Sequence, residues 1–340
     1  MSTIVDIKNL TKDFKVLNRR SSLKGSIADL FSKDYSIVKA VDGLSLQINE
    51  GEIVGFLGPN GAGKSTTIKM MIGVLKQTSG EIVINGLDPY RDHSKYLKDI
   101  GVVFGQRTQL WWALPIRESF NILKDIYEVN DEDFKDNMLL FDEIVGINNI
   151  IDKPARQLSL GQRTLCDILI AFLHNPKIVF LDEPTIGLDV LMKYKIHKLI
   201  KDLNERKKTT VILTTHDMGD VDALCNRVIV INKGKSIYDD SIESLVKFFG
   251  EYKTLNIRYS SEKNYSKGEL KAIIESCCED IDAVQVTENE QCLDLLVDER
   301  KIRVLDLLNS IQSYIQIADI RISEVSTEDI VRKMYEDGVK

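Results

Sequence analysis

The sequence predicts an α/β layer protein with a mostly parallel central sheet, followed by a small α+β domain. Three observations carry that prediction. Strand-length apolar runs alternate with helix-length segments from residue 52 to residue 232, and such alternation builds a parallel sheet covered by helices. One of those runs, 52–57, leads through the glycine-rich turn Gly58-Pro-Asn-Gly-Ala-Gly-Lys64-Ser65 into a helical stretch. After Gly250 the order becomes strand, helix, two strands, helix, strand, the βαββαβ order of a ferredoxin-like domain.

Taken in chain order, residues 4–10 alternate as a strand. Residues 17–34 differ: Leu23, Ile27, Leu30 and Phe31 recur at helical spacing among Arg19, Arg20, Lys24 and Lys33. That pattern reads as a short basic amphipathic helix, packed either on its own domain or against a membrane or membrane partner. Residues 41–48 alternate again, 65–75 read as a helix, and 81–85 and 100–104 as strands. Residues 117–151 are mostly helical with a break at 130–133, and 160–173 form another helix. Strand 177–181, helix 191–206, strand 209–214, helix 217–226 and strand 227–232 complete the first part. In the last part the strands are 254–259, 283–286, 292–297 and 317–322. Its helices are 267–277 and 301–314, with a final short one at 327–335.

A chain of 340 residues is long enough for two domains. Its formal net charge is -7, and residues 251–340 hold 12 Lys/Arg against 19 Asp/Glu while the first 250 residues balance. The charge step suggests a boundary near Gly250, giving domains 1–250 and 251–340. An acidic chain lacks the basic face that displaces counterions from nucleic-acid phosphates, so no nucleic-acid partner is expected. The 5 cysteines are odd in number and spaced unlike a zinc site, which predicts free thiols in a reducing compartment. The N-terminus has no signal-peptide core, and no apolar run approaches the ~20 residues of a membrane-spanning helix.

The chemistry is carried by a few segments. Gly58, Pro59, Asn60, Gly61, Ala62, Gly63, Lys64 and Ser65, continuing into Thr66, fit the phosphate loop G-x-x-x-x-G-K-[ST] between a strand and a helix. Glycines there let successive amide N–H groups face phosphate oxygens at a helix N-terminus. Lys64 can reach the β- and γ-phosphates, and Ser65 can hold Mg²⁺. The apolar strand ending in Asp182 and Glu183 supplies a carboxylate as the second ligand for Mg²⁺ (Asp182) and a general base for an attacking water (Glu183). Ser159 and Gln162 have capping-box spacing, which makes Leu160 the start of a helix.

In order and separation, these segments resemble the ATP-binding subunit of ABC transporters. The resemblance rests on GPNGAGKST, the signature Leu158-Ser-Leu-Gly-Gln162, IVFLDEP, Gly187-Leu-Asp189 and His216, and covers residues 4–240. It implies an ABC-type P-loop NTPase fold with a helical subdomain at about 107–160, and an ATPase using ATP and Mg²⁺. Gln106 matches the glutamine that senses Mg²⁺ and water, with Gln109 as rival. His216 matches the γ-phosphate histidine, and Asp189 the D-loop aspartate of the dimer interface. Ser159, Leu160, Gly161 and Gln162 match the signature that grips ATP held by a second subunit. Tyr35 is the expected adenine-stacking aromatic, with Phe14 as rival.

Leu160 replaces the usual first glycine of the signature. That change, the 17–34 insertion and the ending Ser326-Thr-Glu-Asp-Ile330 resemble the ABC-2 exporter branch. The resemblance implies a peripheral protein at the cytoplasmic face of the cell membrane. Its partners would be an ABC-2 permease and a second ATPase subunit in a homodimer, with 251–340 an accessory or dimerisation domain. Trp111 and Trp112 would line the groove for the permease or pack between subdomains. The alternative is a soluble cassette ATPase acting on ribosomes or nucleic acid. The single phosphate loop, the absence of sustained heptads between Lys64 and Ser159 and the acidic balance weigh against it.

Overall fold

The computed structural model describes residues 2–17, 35–105, 107–249, 252–259, 268–278, 280, 283–288, 292–324, 329–330 and 334. The proposed basic helix (18–34), Gln106 and most of the C-terminal ending fall outside them. Leu17 itself ends a strand rather than opening a helix.

The chain forms two compact units, divided between Ser241 and Ile242. The charge step at Gly250 thus marks composition and not packing. In the first unit, β1 (Thr3–Leu17) and β2 (Tyr35–Asn49) pair along their whole length as an antiparallel ribbon, and β4 (Ser79–Ile84) pairs with the other edge of β1. Both ribbon strands run well past the predicted 4–10 and 41–48. The register slips near Asn9 and between Lys12 and Asp13, where Ala40 is the extra residue of β2. Such bulges break the period-two signal from which a strand is read.

The second sheet has the order β5-β6-β7-β3-β8-β9: β5 (Ile100–Phe104), β6 (Ile178–Asp182), β7 (Thr210–Thr214), β3 (Ile53–Leu57), β8 (Arg227–Asn232) and β9 (Lys235–Ser241). All its pairs are parallel except β8 with β9. Strands β3 and β7 are buried at every position, as expected of parallel strands covered on both faces. Helix α1 (Lys64–Met71) contributes Ile68, Met70 and Met71 to one apolar core with Val5, Ile7, Leu44 and Ile48 of the ribbon and Phe56, Phe180 and Ile212 of the parallel sheet. Anchoring α1 in both sheets fixes the turn that precedes it.

A short helix, α2 (His93–Tyr96), precedes β5. Between β5 and β6 lie three longer helices: α3 (Ile116–Ile126), α4 (Asp131–Val145) and α5 (Leu160–Ala171). The break lies at 127–130 rather than at the expected 130–133, because Asn130 caps α4 by accepting from Asp133 N at 2.8 Å and makes 131–133 its first turn. Helix α6 (Val190–Lys207) links β6 to β7, and α7 (Met218–Leu224) links β7 to β8.

The second unit opens with α8 (Ile242–Phe249), which sequence reading did not predict. It continues with β10 (Tyr252–Tyr259), α9 (Glu269–Ser276), β11 (Val284–Glu288), β12 (Cys292–Asp298), α10 (Val304–Gln312) and β13 (Ile317–Glu324). Its antiparallel sheet has the order β11-β12-β10-β13. Two central strands, first and third in sequence, flanked by the second and fourth make the ferredoxin-like arrangement expected. Leu255, Ile257, Leu293, Leu295 and Val297 pack there with Leu270, Ile274, Leu307 and Ile311.

Candidate functional site

In parallel sheets, ligands bind beyond the carboxyl ends of the strands, and the register brings those ends into line here. Phe104 pairs with Asp182, Asp182 with Thr214, and Thr214 with Phe56. The segments following Phe104, Asp182 and Thr214 therefore leave the sheet together, and β3 ends one residue on, at Leu57. A cavity of about 270 Å³ lies there, lined by Ala40, residues 59–66, Asp182, Glu183 and Thr214. A larger one, about 610 Å³, shares Ser65, Asp182 and Glu183 and extends along Lys69, Phe104, Gly105 and Arg107.

The glycine turn meets its neighbours at backbone distance. Gly63 has φ +109°, and a Cβ there would lie 2.4 Å from the Ala40 carbonyl. Only glycine suits that approach. The Lys64 ammonium donates to the Gly58 carbonyl and, at 3.3 Å, to the Pro59 carbonyl. Burial pushes its pKa down, partly opposed by the Glu183 and Asp182 carboxylates. A desolvated ammonium whose hydrogen bonds go to two carbonyl oxygens is disposed to accept an anionic partner. The Thr67 hydroxyl donates to Gly63 O at 3.0 Å and ties down the first turn of α1.

Asp182 accepts from the Thr214 hydroxyl. Glu183 N donates to Thr214 O at 2.9 Å, so the sheet continues one residue past the strand. Glu183 has φ +51°, a conformation costly for a residue with a Cβ and typical of functional sites. Its Oε1 lies 3.2 Å from His216 Nδ1. Lys64, Ser65, Asp182 and Glu183 thus converge on one cavity, with His216 touching Glu183. Among the described residues no three His, Cys, Asp or Glu side chains form a metal cage. One hydroxyl and one carboxylate beside a phosphate loop instead fit Mg²⁺, which keeps waters and substrate phosphates as its other ligands.

Other expected residues lie elsewhere. Ser159 accepts from Gln162 N at 3.2 Å and Gln162 Oε1 accepts from Ser159 N at 3.0 Å, the predicted reciprocal cap of α5. Neither Ser159, Gly161 nor Gln162 lines the two cavities. Gly161 packs so closely on α6 that a Cβ would fall 2.3 Å from Met192 Cγ. Asp189 caps α6, accepting from Met192 N at 2.9 Å.

Gln109 turns away from the cavities: its amide donates to Val102 O at 2.8 Å and its backbone N–H to the buried Asp167 at 2.8 Å. Tyr35 pairs with Leu17 at the far end of the ribbon, five residues from Ala40, roughly 17 Å along an extended strand. Phe14 pairs with Val38, only two residues from Ala40. Neither aromatic lines the two cavities; the ribbon sets Phe14 nearer to Ala40 than Tyr35, its ring facing Lys12 Nζ at 5.2 Å. Sequence reasoning missed Thr214 and Asp220; for Thr214 the available signal was a threonine ending an otherwise apolar strand just before Thr215 and His216.

The family model described as ABC transporter matches residues 41–186. The ABC transporter ATP-binding protein NatA of Bacillus subtilis is 34% identical over 215 residues, covering 63% of this chain and 87% of NatA. The chain belongs to the ABC transporter family of ATP-binding proteins. It is an ATPase of that family, and it binds ATP. The bacitracin transport ATP-binding protein BcrA of Bacillus licheniformis is 33% identical over 216 residues, 64% of this chain and 69% of BcrA. Among solved structures, the dimeric ABC transporter cassette MJ0796 is 29% identical with a TM-score of 0.55, covering 70% of this chain and 98% of its own. Its post-hydrolysis dimer bound to ADP and Pi matches at 27% identity and a TM-score of 0.56. The cassette spans most of the first unit, and no helix among the described residues is long and apolar enough to cross a membrane.

Proposed function

We propose that this ATPase energises an ABC-2 type membrane exporter as a peripheral subunit at the cytoplasmic face of the membrane. The observation that carries the reading is Glu183, which lines one cavity with Lys64 and Ser65 and lies 3.2 Å from His216. In this reading the backbone of residues 59–66 and the Lys64 ammonium hold the ATP phosphates. Ser65 and Asp182 would hold Mg²⁺, with Gln106 as the further ligand expected from the sequence, and the ion would supply positive charge beside the phosphates. Glu183 accepts a proton from the attacking water, and His216 holds the Glu183 carboxylate and the γ-phosphate in register. Phe14 stacks on the adenine.

Ser159, Gly161 and Gln162 line neither cavity of their own chain. This supports a site completed by the signature of a second copy, with Asp189 at the interface between them. The likeness to a dimeric cassette supports the same arrangement. The similarity to NatA and BcrA supports the exporter branch. Trp112 is 55% exposed, and the Arg163 guanidinium lies 5.1 Å from its ring centroid, an anchored aromatic suited to a permease contact. The second unit, from residue 242 on and acidic after residue 250, is in this reading an accessory domain for dimerisation.

A photo-crosslinking amino acid placed at Trp112 in cells tests the proposal. Capture of a multi-spanning membrane protein is the expected result. Capture of ribosomal proteins or nucleic acid in its place overturns the exporter reading.

A further inference from the structure

The cavity explains how ATP is held, but not what keeps the Glu183 and His216 segments in register. Each belongs to a different strand end, and both side chains are partly open: His216 is 63% exposed and Glu183 34%. The β6–β7 ladder and the Glu183 N to Thr214 O bond align the two backbones only as far as Glu183; the loops beyond it need a further restraint.

Beneath them lies a buried carboxylate. Asp220, on α7, is fully buried. Its Oδ2 accepts from the Thr185 hydroxyl and, at 2.9 Å, from the Thr215 hydroxyl. Its Oδ1 lies 2.7 Å from His197 Nε2. Thr185 follows Glu183 by two residues and Thr215 immediately precedes His216. His197 belongs to α6, the helix that Asp189 caps. Both threonines are buried. Thr215 Oγ1 also accepts from Asp217 N at 3.0 Å, and Lys193 of α6 pairs with Asp217, so the surrounding loop is fastened at several points.

We infer that Asp220 is a positioning residue for hydrolysis, joining the segment behind Glu183, the segment before His216 and the D-loop helix through one carboxylate. All three neighbours act as donors toward it. An ionised carboxylate satisfies them with acceptor lone pairs alone. An amide of the same shape keeps only one oxygen acceptor, so its NH₂ faces His197 or the threonines and can be met only if the imidazole changes tautomer or a hydroxyl rotates, which loosens the three-way junction. The carboxylate touches no nucleotide-facing atom and takes no part in the chemistry. Its effect is to hold the base and the histidine at the distances that turnover needs, and misplacement by about 1 Å can cost about 100-fold in rate.

The test uses the full chain. Asp220→Asn is expected to lower kcat by about 100-fold while the KM for ATP stays within about threefold, because the phosphate loop is untouched. Thr185→Val and Thr215→Val each lower kcat, and Thr185→Ser, which restores the hydroxyl, recovers most of it. Circular dichroism and binding of a fluorescent ATP analogue accompany each variant. A folded Asp220→Asn protein with kcat within threefold of the parent overturns the inference. So does a fall in ATP affinity as large as the fall in kcat. If Asp220→Asn does not fold, the two Val variants decide: normal kcat in both overturns it, and a loss in both that Ser repairs at position 185 sustains it.

Discussion

Asp167 sits on α5, is 5% exposed and accepts from the Thr108 hydroxyl at 3.0 Å and from Gln109 N at 2.8 Å. Burial pushes its carboxyl from 3.8 up to about 6, against the pull of those hydrogen bonds and of Arg163. The folded chain therefore holds this proton more tightly than the unfolded chain does. Stability from Asp167 is full below about pH 4 and is lost as pH rises through about 6. The displacement from 3.8 to about 6 corresponds to an upper bound of about 3 kcal/mol. Asp167→Asn removes that ionisation while its amide oxygen still accepts both hydrogen bonds. At pH 7.5 the variant should be more stable than the parent by up to about 3 kcal/mol, and the gap should close by pH 4. Urea denaturation followed by tryptophan fluorescence measures this cleanly. The chain has 2 tryptophans, both in the first unit, and Trp112 lies against Arg163 of the same helix as Asp167. Stability curves that run parallel for parent and variant from pH 4 to 7.5 would refute the reasoning.

His174 should act in the opposite direction. Burial pushes its ring down from 6.5 to about 4 while it stacks on Tyr127 and sits 2.9 Å from Ile100 O. Its stabilisation is therefore present above about pH 6.5 and lost as pH falls through about 4. His174→Phe should flatten the acid side of the same stability curve. Glu183→Gln should leave ATP binding intact and lower turnover by about 100- to 10,000-fold, with an ATP-bound dimer accumulating on size exclusion; near-normal phosphate release would remove Glu183 as the base. Gly63→Ala sets a Cβ against the Ala40 carbonyl at a strain cost of about 1–3 kcal/mol. A fluorescent nucleotide should then bind at least about tenfold more weakly, and an unchanged Kd would contradict the described loop.

The site was largely legible in the sequence because its parts are contiguous. Residues 58–66 and the strand before Asp182 are local patterns whose backbone chemistry leaves few alternatives. Residues joined only by pairing were not legible. How far Tyr35 and Phe14 stand along the ribbon is set by a register that opposes Phe14 to Val38 and Tyr35 to Leu17. The full ribbon stayed hidden because its outer half is exposed on both faces and bulged, so nothing alternates. Strand β9, KSIYDDS, is too polar to announce itself, and its place is set by pairing with β8. Asp220 and Asp167 read as ordinary helix acids until burial and partners are known.

The positive φ of Glu183 has a consequence for how this protein can be altered. Glycine, or asparagine at smaller cost, tolerates that conformation better than glutamate does. A library selected for heat resistance alone would be drawn toward Gly or Asn at position 183, and would discard turnover while gaining robustness. Any thermostabilisation of this chain therefore needs a screen for phosphate release running beside the screen for survival.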